Sequence, residues 1–375
     1  MDKWRFLEID WLTYAETAIY RPVLMRAVSE ETVPDTVSFC RFPKPSLVLN
    51  YFNDPDKDIN LDLCGQMDIP VYRVIASGGP IFGDRGYIFT FLHINRQSPR
   101  IPPDVPGMFE KTLTGVAQGI SQYFDIECRF RPLNDIEVRC DDGMWRKIGP
   151  SSCFYEEKAV QMGSGIQIKE PDADLIAEVI NAPPEKFMDK EAKSIQERIT
   201  YLEKVVGRDI DFEEIRNIYW GSLEKVFEVQ FSEGELTNTE KTYLNEMEKE
   251  YTSQEFFMDR SEEKFNNLPG DCVRNTVRFK VPGGPFVRII TFTKGGRMIH
   301  LLISGHIHAS PLRPTSPVHE IEKALEDSPV NHDLFESRIQ EILARPGFSF
   351  AGISSGLLAE KIHQCATGRE SATTG

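Results

Sequence analysis

No run of apolar residues in this chain approaches the ~20 needed to cross a bilayer. The opening Met1-Asp2-Lys3-Trp4-Arg5 also lacks the apolar stretch of a secretion signal. The expectation is a cytoplasmic protein that touches no membrane. The seven cysteines (Cys40, Cys64, Cys128, Cys140, Cys153, Cys272 and Cys365) contain no C-x-x-C pair and form an odd, widely spaced set. That argues against a disulfide framework and a sequence-local zinc knuckle, and predicts reduced, mostly buried thiols. Positive charge is in the minority: 43 Lys plus Arg face 58 Asp plus Glu, a formal net charge of −15. A nucleic acid is therefore not the expected partner, although a local basic pocket is compatible with this balance. What the chain has in quantity is apolar mass, with 40% hydrophobic residues, 24 Phe, 11 Tyr and 4 Trp. This excludes a disordered, collagenous or coiled-coil protein. At about 150 residues per domain, 375 residues predict two or three domains, or one large domain with an appendage.

Residues 39–51 read as β-rich around Pro43 and Pro45, and 71–73 and 87–94 read as strands flanking a glycine-rich loop. A hairpin is predicted over 135–148, where Ile136, Val138 and Cys140 alternate with polar neighbours and Asp142-Gly143 supplies the turn. Lys147 then lies near a strand end. Helices are expected over 174–180, stopping before Pro183-Pro184, and over 239–251. A third is expected behind Asp211, where Glu214 completes a capping box ahead of an apolar face from Phe212 to Phe227. Strands are expected over 276–281, 286–293 and 298–307, then helices begun by Ser316-Pro317 and by Asn331. The predicted class is α+β: a larger domain over 1–260 with a mixed sheet and helices, a linker over 261–271, a small α+β accessory domain over 272–366 and a flexible tail over 367–375. No internal repeat is found.

The segment Arg73-Val74-Ile75-Ala76-Ser77-Gly78-Gly79-Pro80-Ile81-Phe82-Gly83-Asp84 is the most informative. Two glycines between strands let backbone approach a ligand closely, though such a pair more often marks a tight turn. Lys147 after Arg146, with Gly149 beyond it, reads equally as a solvated cationic strand end. Order and spacing add information. Arg73, Gly78-Gly79, Asp84, Asn134-Asp135, Lys147-Ile148-Gly149 and Gly163-Ser164 follow one another in a pattern that resembles the lipoate-protein ligase A family. In that family an R-R-x-x-G-G-G-x-V-[FY]-H-D loop precedes an N-D-[LI]-x-V strand, a K-[IV]-x-G segment and a His-Gly-Thr strand. Pro45-Ser46-Leu47-Val48-Leu49 resembles the family's P-[ST]-V-[IV]-[IL] strand. The stretch from Ser194 through Arg198 to Leu202 resembles its S-[VI]-x-x-R-V-x-x-L segment, and the region after Asn275 is similar to the smaller domain of the two-domain bacterial ligases.

This resemblance implies a biotin/lipoyl-ligase-like catalytic domain and a two-step acyl transfer. Lipoate or octanoate and ATP would give an acyl-adenylate, whose acyl group passes to a lysine of a lipoyl carrier domain, either an E2-type subunit or a glycine-cleavage H-like protein. The implied catalytic residue is Lys147, stabilising charge where two anions meet. The implied lipoyl-AMP contacts are Arg73, Ser77, Gly78, Gly79, Ile81, Asp84, Asn134, Gly149, Gly163 and Ser164. Arg73 would contact the ligand's polar end or brace the loop, Asn134 and Asp135 would sit at the nucleotide with Asp135 as a Mg²⁺ or phosphate-side group, and an apolar tunnel would take the acyl chain. A monomer is expected, with the smaller domain swinging over the site between steps. Val74, Ser77, Pro80, Gly83, Pro150 and Gln161-Met162 depart from the family pattern, and Pro80 and Pro150 offer no N–H. The departures imply altered specificity or reduced adenylation. Cys128, four residues before Pro132, resembles the nucleophile of related octanoyltransferases, which gives an alternative as an octanoyl or lipoyl transferase. A non-catalytic lipoyl-binding relative is a further alternative. His306-Ile307-His308 places two imidazoles on one strand face without a third ligand in sequence, and Glu246 to Glu250 reads as a solvated helix face.

Overall fold

The computed structural model of the chain describes residues 2–9, 14–42, 44–132, 134–181, 198–313 and 315–368. The strands in chain order are β1 (Asp2–Ile9), β2 (Thr36–Arg41), β3 (Ser46–Leu49), β4 (Val71–Arg73), β5 (Ile81–Gly83), β6 (Tyr87–Asn95), β7 (Cys128–Arg131) and β8 (Asp135–Arg139). They continue with β9 (Trp145–Tyr155), β10 (Ala159–Gln167), β11 (Val229–Glu233), β12 (Val273–Lys280), β13 (Phe286–Lys294) and β14 (Arg297–His306). Eight of them form one mixed sheet in the order β11-β1-β2-β6-β10-β9-β8-β7. β1 runs parallel to both of its neighbours, and the other neighbours are antiparallel.

The sheet is covered on both faces, which explains why its central strand β6 is buried from Tyr87 to Ile94, Thr90 and His93 included. On β6, Ile88, Leu92 and Ile94 face one core while Tyr87, Phe89 and Phe91 face another. The first core is closed by two helices, Val105–Phe124 and Phe212–Phe227. The capping box expected at Asp211 and Glu214 is formed. The Val105–Phe124 helix, absent from the sequence expectations, has its own signal: Asp104 caps it, Pro106 sits in its first turn, and Met108, Thr112, Val116 and Ile120 recur every four residues on its buried side.

A three-stranded sheet, β4-β3-β5, stands beside the large one and carries the glycine loop between β4 and β5. The 135–148 hairpin forms as expected, with Gly143 at φ +77° and Cys140 N bonded to Met144 O at 2.9 Å. The C-terminal part is an antiparallel β12-β13-β14 sheet with helices Pro317–Leu325, His332–Leu343 and Ser355–Thr367. The caps at Ser316 and Asn331 are in place. The Ser355–Thr367 helix, capped by Ser354, is a further element the sequence expectations omit.

The α+β class holds. The C-terminal sheet and helices share one apolar core with the N-terminal part, since Ile289, Ile303, Phe335 and Leu358 pack in the same cluster as Val23, Phe52, Tyr243 and Phe256. The 261–271 segment is tied at its start: the Ser261 hydroxyl bonds Asp56, and a 3-10 turn spans Glu262–Phe265. Just before it, Arg260 is buried against Glu322. Of the expected tail, Thr367 ends a helix capped by Gly368, and 369–375 lie outside the described residues. So do Ser194 to Glu197 and Pro183-Pro184. Among the described residues no helix is long and apolar enough to cross a membrane.

Candidate active site

The glycine loop is held by side chains aimed at its carbonyls. Asn50 Nδ2 donates to Ser77 O at 2.9 Å and to Gly79 O at 2.8 Å, and Asn53 Nδ2 donates to Gly78 O at 2.8 Å and Gly305 O at 3.0 Å. Gly78 sits at φ +106°, a region that favours glycine, and its N–H donates to Ile307 O at 2.8 Å. Arg73 braces this arrangement from behind. Its guanidinium is buried and donates to the carbonyls of Asn50, Tyr51 and Phe257.

Across from the loop, the hairpin presents its charged face. Ile136 pairs with Gly149 and Glu137 with Lys147, so Ile148 is the extra residue of a bulge; its side chain enters the core and Lys147 lies on the opposite face, largely buried beside Asp135. Lys147 Nζ lies 2.5 Å from Asp135 Oδ1, and Arg198 Nη2 lies 2.7 Å from Asp135 Oδ2. Residues 198–200 are docked there by Thr200 N, which donates to Lys147 O at 2.9 Å. Burial pulls the Lys147 ammonium below its ordinary pKa, and the Asp135 carboxylate opposes that pull.

Loop, hairpin and C-terminal sheet enclose a cavity of about 350 Å³. Its charged lining is Lys147, Arg131, Arg198 and Lys280 against Asp135. Four cations line the cavity against Asp135, with Glu137 behind Arg131 at 2.8 Å, and this positive balance in a protein of net charge −15 makes it a local trap for a polyanion. The apolar share comes from Ile81, Phe82, Ile176, Ile180, Ile199 and Phe286. The cavity can therefore take a molecule with a negative head and an oily end.

Of the sequence-based candidates, Ser77, Gly78, Gly79, Ile81, Asn134, Asp135, Lys147 and Gly149 line this cavity. Arg73, Asp84, Gly163, Ser164 and Cys128 are not part of its lining. Asp84 Oδ1 instead accepts from Gly86 N at 2.8 Å. Ser164 Oγ bonds Tyr219 Oη at 3.1 Å within the sheet core, and a Cβ on Gly163 would stand 2.9 Å from the Phe91 ring. Cys128 packs against the core, and burial pushes its thiol up to about 12, far from the thiolate a nucleophile needs. Among the described residues no cysteine lines the cavity.

The residues do not fit a magnesium ion held by Asp135. Both of its oxygens are taken by cations, and no group of three His, Cys, Asp or Glu among the described residues could hold a metal. The His306 and His308 pair is no exception. Sequence reasoning missed Arg131, Arg198, Lys280, His306 and His308 as lining residues. Arg198 stood in the matched S-x-x-R segment, whereas the last three reach the cavity only through tertiary packing.

Gly149 gives a direct check of this geometry. A Cβ there would lie 1.8 Å from Gly165 O, a backbone atom of the neighbouring strand. Gly149→Ala is expected to force β9 away from β10 and to lower stability by about 1–3 kcal/mol, the usual range for overpacking, as read by denaturant unfolding.

Residues 14–223, more than half the chain, match the family model described as the lipoyl protein ligase A/B catalytic domain. The chain belongs to this family. A relative, lipoate-protein ligase A subunit 1 of Thermoplasma acidophilum, is 24% identical over 218 residues, covering 57% of this chain and 80% of that protein. The octanoyltransferase LipM of Geobacillus kaustophilus is 21% identical over 275 residues, covering 68% and 98% respectively.

Three solved structures share the fold of this family member. The T. acidophilum bipartite lipoate ligase, reported with its E2 lipoyl domain, superposes with a TM-score of 0.57 at 21% identity, covering 69% of this chain and 97% of that one. Lipoate-protein ligase A bound with ATP gives 0.57 at 18% identity, covering 68% and 98%. P. falciparum LipL1 in complex with lipoate gives 0.68 at 10% identity, covering 96% and 99%, so its likeness extends over the C-terminal part as well. Relatives of both kinds place this family member among enzymes of lipoyl attachment, ligase and transferase alike.

Proposed function

We propose that the chain is an ATP-dependent lipoate-protein ligase. The carrying observation is the cationic cavity without a thiol: Lys147, Arg131, Arg198 and Lys280 face a space in which, among the described residues, no cysteine is present. A transferase that takes its acyl group as a thioester needs a nucleophile there. An adenylating enzyme instead needs fixed positive charge. In the first step a carboxylate oxygen attacks the α-phosphorus of ATP and pyrophosphate leaves. Lys147 neutralises the two anions as they meet, and the loop at Gly78-Gly79 with the C-terminal sheet excludes water from the mixed anhydride. In the second step an acceptor amine attacks the acyl carbonyl and AMP leaves. The apolar residues about Ile81 and Ile176 would receive the acyl chain. The solved structures reported with ATP, with lipoate and with an E2 lipoyl domain support ATP and lipoate as substrates and a lipoyl domain as acceptor. Asp135 is assigned to the orientation of Lys147 and Arg198.

The test is lipoate-dependent release of pyrophosphate from ATP. We expect release by the unaltered protein and by Cys128→Ser at equal rates within about twofold. If no pyrophosphate is released while octanoyl groups pass from acyl carrier protein, and the Cys128→Ser protein loses that passage, the transferase reading replaces this one.

A further inference from the structure

The second step releases a proton, and the hairpin supplies nothing free to take it. Asp135 is the sole carboxylate among the described lining residues, and its two oxygens already receive Lys147 and Arg198. Other bases in the lining come from the C-terminal part of the chain, at the end of β14 and just beyond it. Of these, His306 is packed face-on behind Gly79, whose Cβ would stand 3.0 Å from its ring, and is bounded by Phe286 at 5.4 Å. His308 is set differently. The bond from Gly78 N to Ile307 O fixes the backbone immediately before it, and Ala351 N holds its own carbonyl at 2.8 Å. Its ring stands edge-on to Phe109 at 6.1 Å and presents Cε1 and Nε2 to Gly78, where a Cβ would lie at 3.5 Å. Nδ1 is buried with no hydrogen-bond partner. Such an atom is costly unless a ligand or a proton completes it.

We propose that His308, carried into the cavity by the C-terminal part of the chain, is the proton acceptor of the acyl-transfer step. The inference rests on the ligase reading and deepens it. As the acceptor amine forms its C–N bond to the acyl carbonyl, the C–O bond to the phosphate breaks and AMP leaves with the electron pair. The surplus N–H proton passes to a ring nitrogen of His308, which later returns it to water. Burial lowers the imidazole pKa to about 4, with Lys147 adding to that effect and Asp135 opposing it. The ring is therefore neutral and able to accept at working pH. A base this weak takes the proton only as the C–N bond forms and the amine becomes acidic, which sets its effect at the low end of general base catalysis. Glycine at 78 follows from the same geometry, since a side chain there would fill the space next to the ring.

The test supplies synthetic lipoyl-adenylate to the full chain with an isolated lipoyl domain and follows single-turnover transfer, beside pyrophosphate release from ATP and lipoate. His308→Gln keeps the size and polarity of the side chain but cannot take the proton; His308→Ala removes both. The expected result is transfer slowed about 100-fold in both variants, the lower end for general base catalysis, and slowed at least about tenfold more than pyrophosphate release. Transfer at full rate by His308→Gln would show packing alone and overturn the assignment. So would an equal fall in both steps. If the unaltered protein cannot transfer from lipoyl-adenylate at all, the ligase reading falls and takes this assignment with it, which separates the two failures. Should His308→Ala not fold, His308→Gln carries the test alone.

Discussion

Lys147→Ala is expected to lower lipoate-dependent pyrophosphate release about 10³-fold while leaving the protein folded. The magnitude follows from electrostatics in a partly dry site. Two unit charges about 4 Å apart interact by about 4 kcal/mol at an effective dielectric constant near 20, and about 1.36 kcal/mol corresponds to one decade of rate. The fold survives because Asp135 keeps Arg198 at 2.7 Å, so truncating Lys147 does not strand a buried carboxylate. Lys147→Met separates charge from volume. It fills the same space without the ammonium, so it should be as inactive as the alanine variant and melt closer to the unaltered protein. Activity retained by Lys147→Met would show that volume, not charge, is what the site requires. Arg131 and Arg198 stay where Glu137 at 2.8 Å and Asp135 at 2.7 Å hold them, so neither moves into the place of the lost ammonium.

Why these residues could be read from sequence, and others could not, comes down to how far apart in the chain their partners lie. Asp135 and Lys147 are twelve positions apart on two strands of one hairpin, whose Asp142-Gly143 turn and alternating apolar residues are local signals. The glycine loop is similarly local, bracketed by β4 and β5. The bulge that aims Lys147 at Asp135 left no such mark, because Ile148 looks like any other strand residue. The C-terminal wall of the cavity was beyond reach for a different reason. His308 meets Gly78 across more than two hundred residues, through one backbone bond to Ile307 and through side chains such as Asn53 that join Gly78 O to Gly305 O. Nothing in a two-histidine strand end records that docking. Arg73 and Cys128 show the converse limit. Their positions in the pattern were plain, but pattern cannot distinguish a side chain that lines a cavity from one that braces its wall or packs in the core. Cys128 sits against the core with a raised thiol pKa, and Arg73 is spent on three backbone carbonyls.

Arg288→Met should cost about 3–5 kcal/mol of stability at pH 8, the range for breaking a buried ion pair by removing one partner. Arg288 leaves β13 to enter the N-terminal part of the chain. Its Nη2 donates to Asp58 Oδ1 at 2.9 Å and its Nη1 lies 3.6 Å from Asp54 Oδ2, with both carboxylates fully buried. The same short stretch carries Asn50 and Asn53, so the cation fixes the segment that holds the glycine loop. Without it two carboxylates face each other in a dry pocket. The loss should be smaller at acid pH, and the sign follows from proton linkage. Burial already raises the Asp54 carboxyl to about 7, with Arg288 opposing. A carboxyl whose folded pKa lies above its unfolded value of about 3.9 favours folding below that value, and the advantage is lost as pH rises through the folded pKa. Removing Arg288 raises that folded pKa further, so protonation of Asp54 relieves the variant at pH 5.5 and not at pH 8. Denaturant unfolding at both values reads the difference, and an equal loss at the two would refute the account. Arg288→Met combined with Asp58→Asn should recover much of the loss at pH 8. The amide oxygen of that second substitution would still accept from Asp54 N, now bonded at 2.8 Å to Asp58 Oδ2, while bringing no charge. The cost therefore lies in the unpaired carboxylate rather than in the missing contact, and the cation's place beside the loop is what couples the C-terminal sheet to the site.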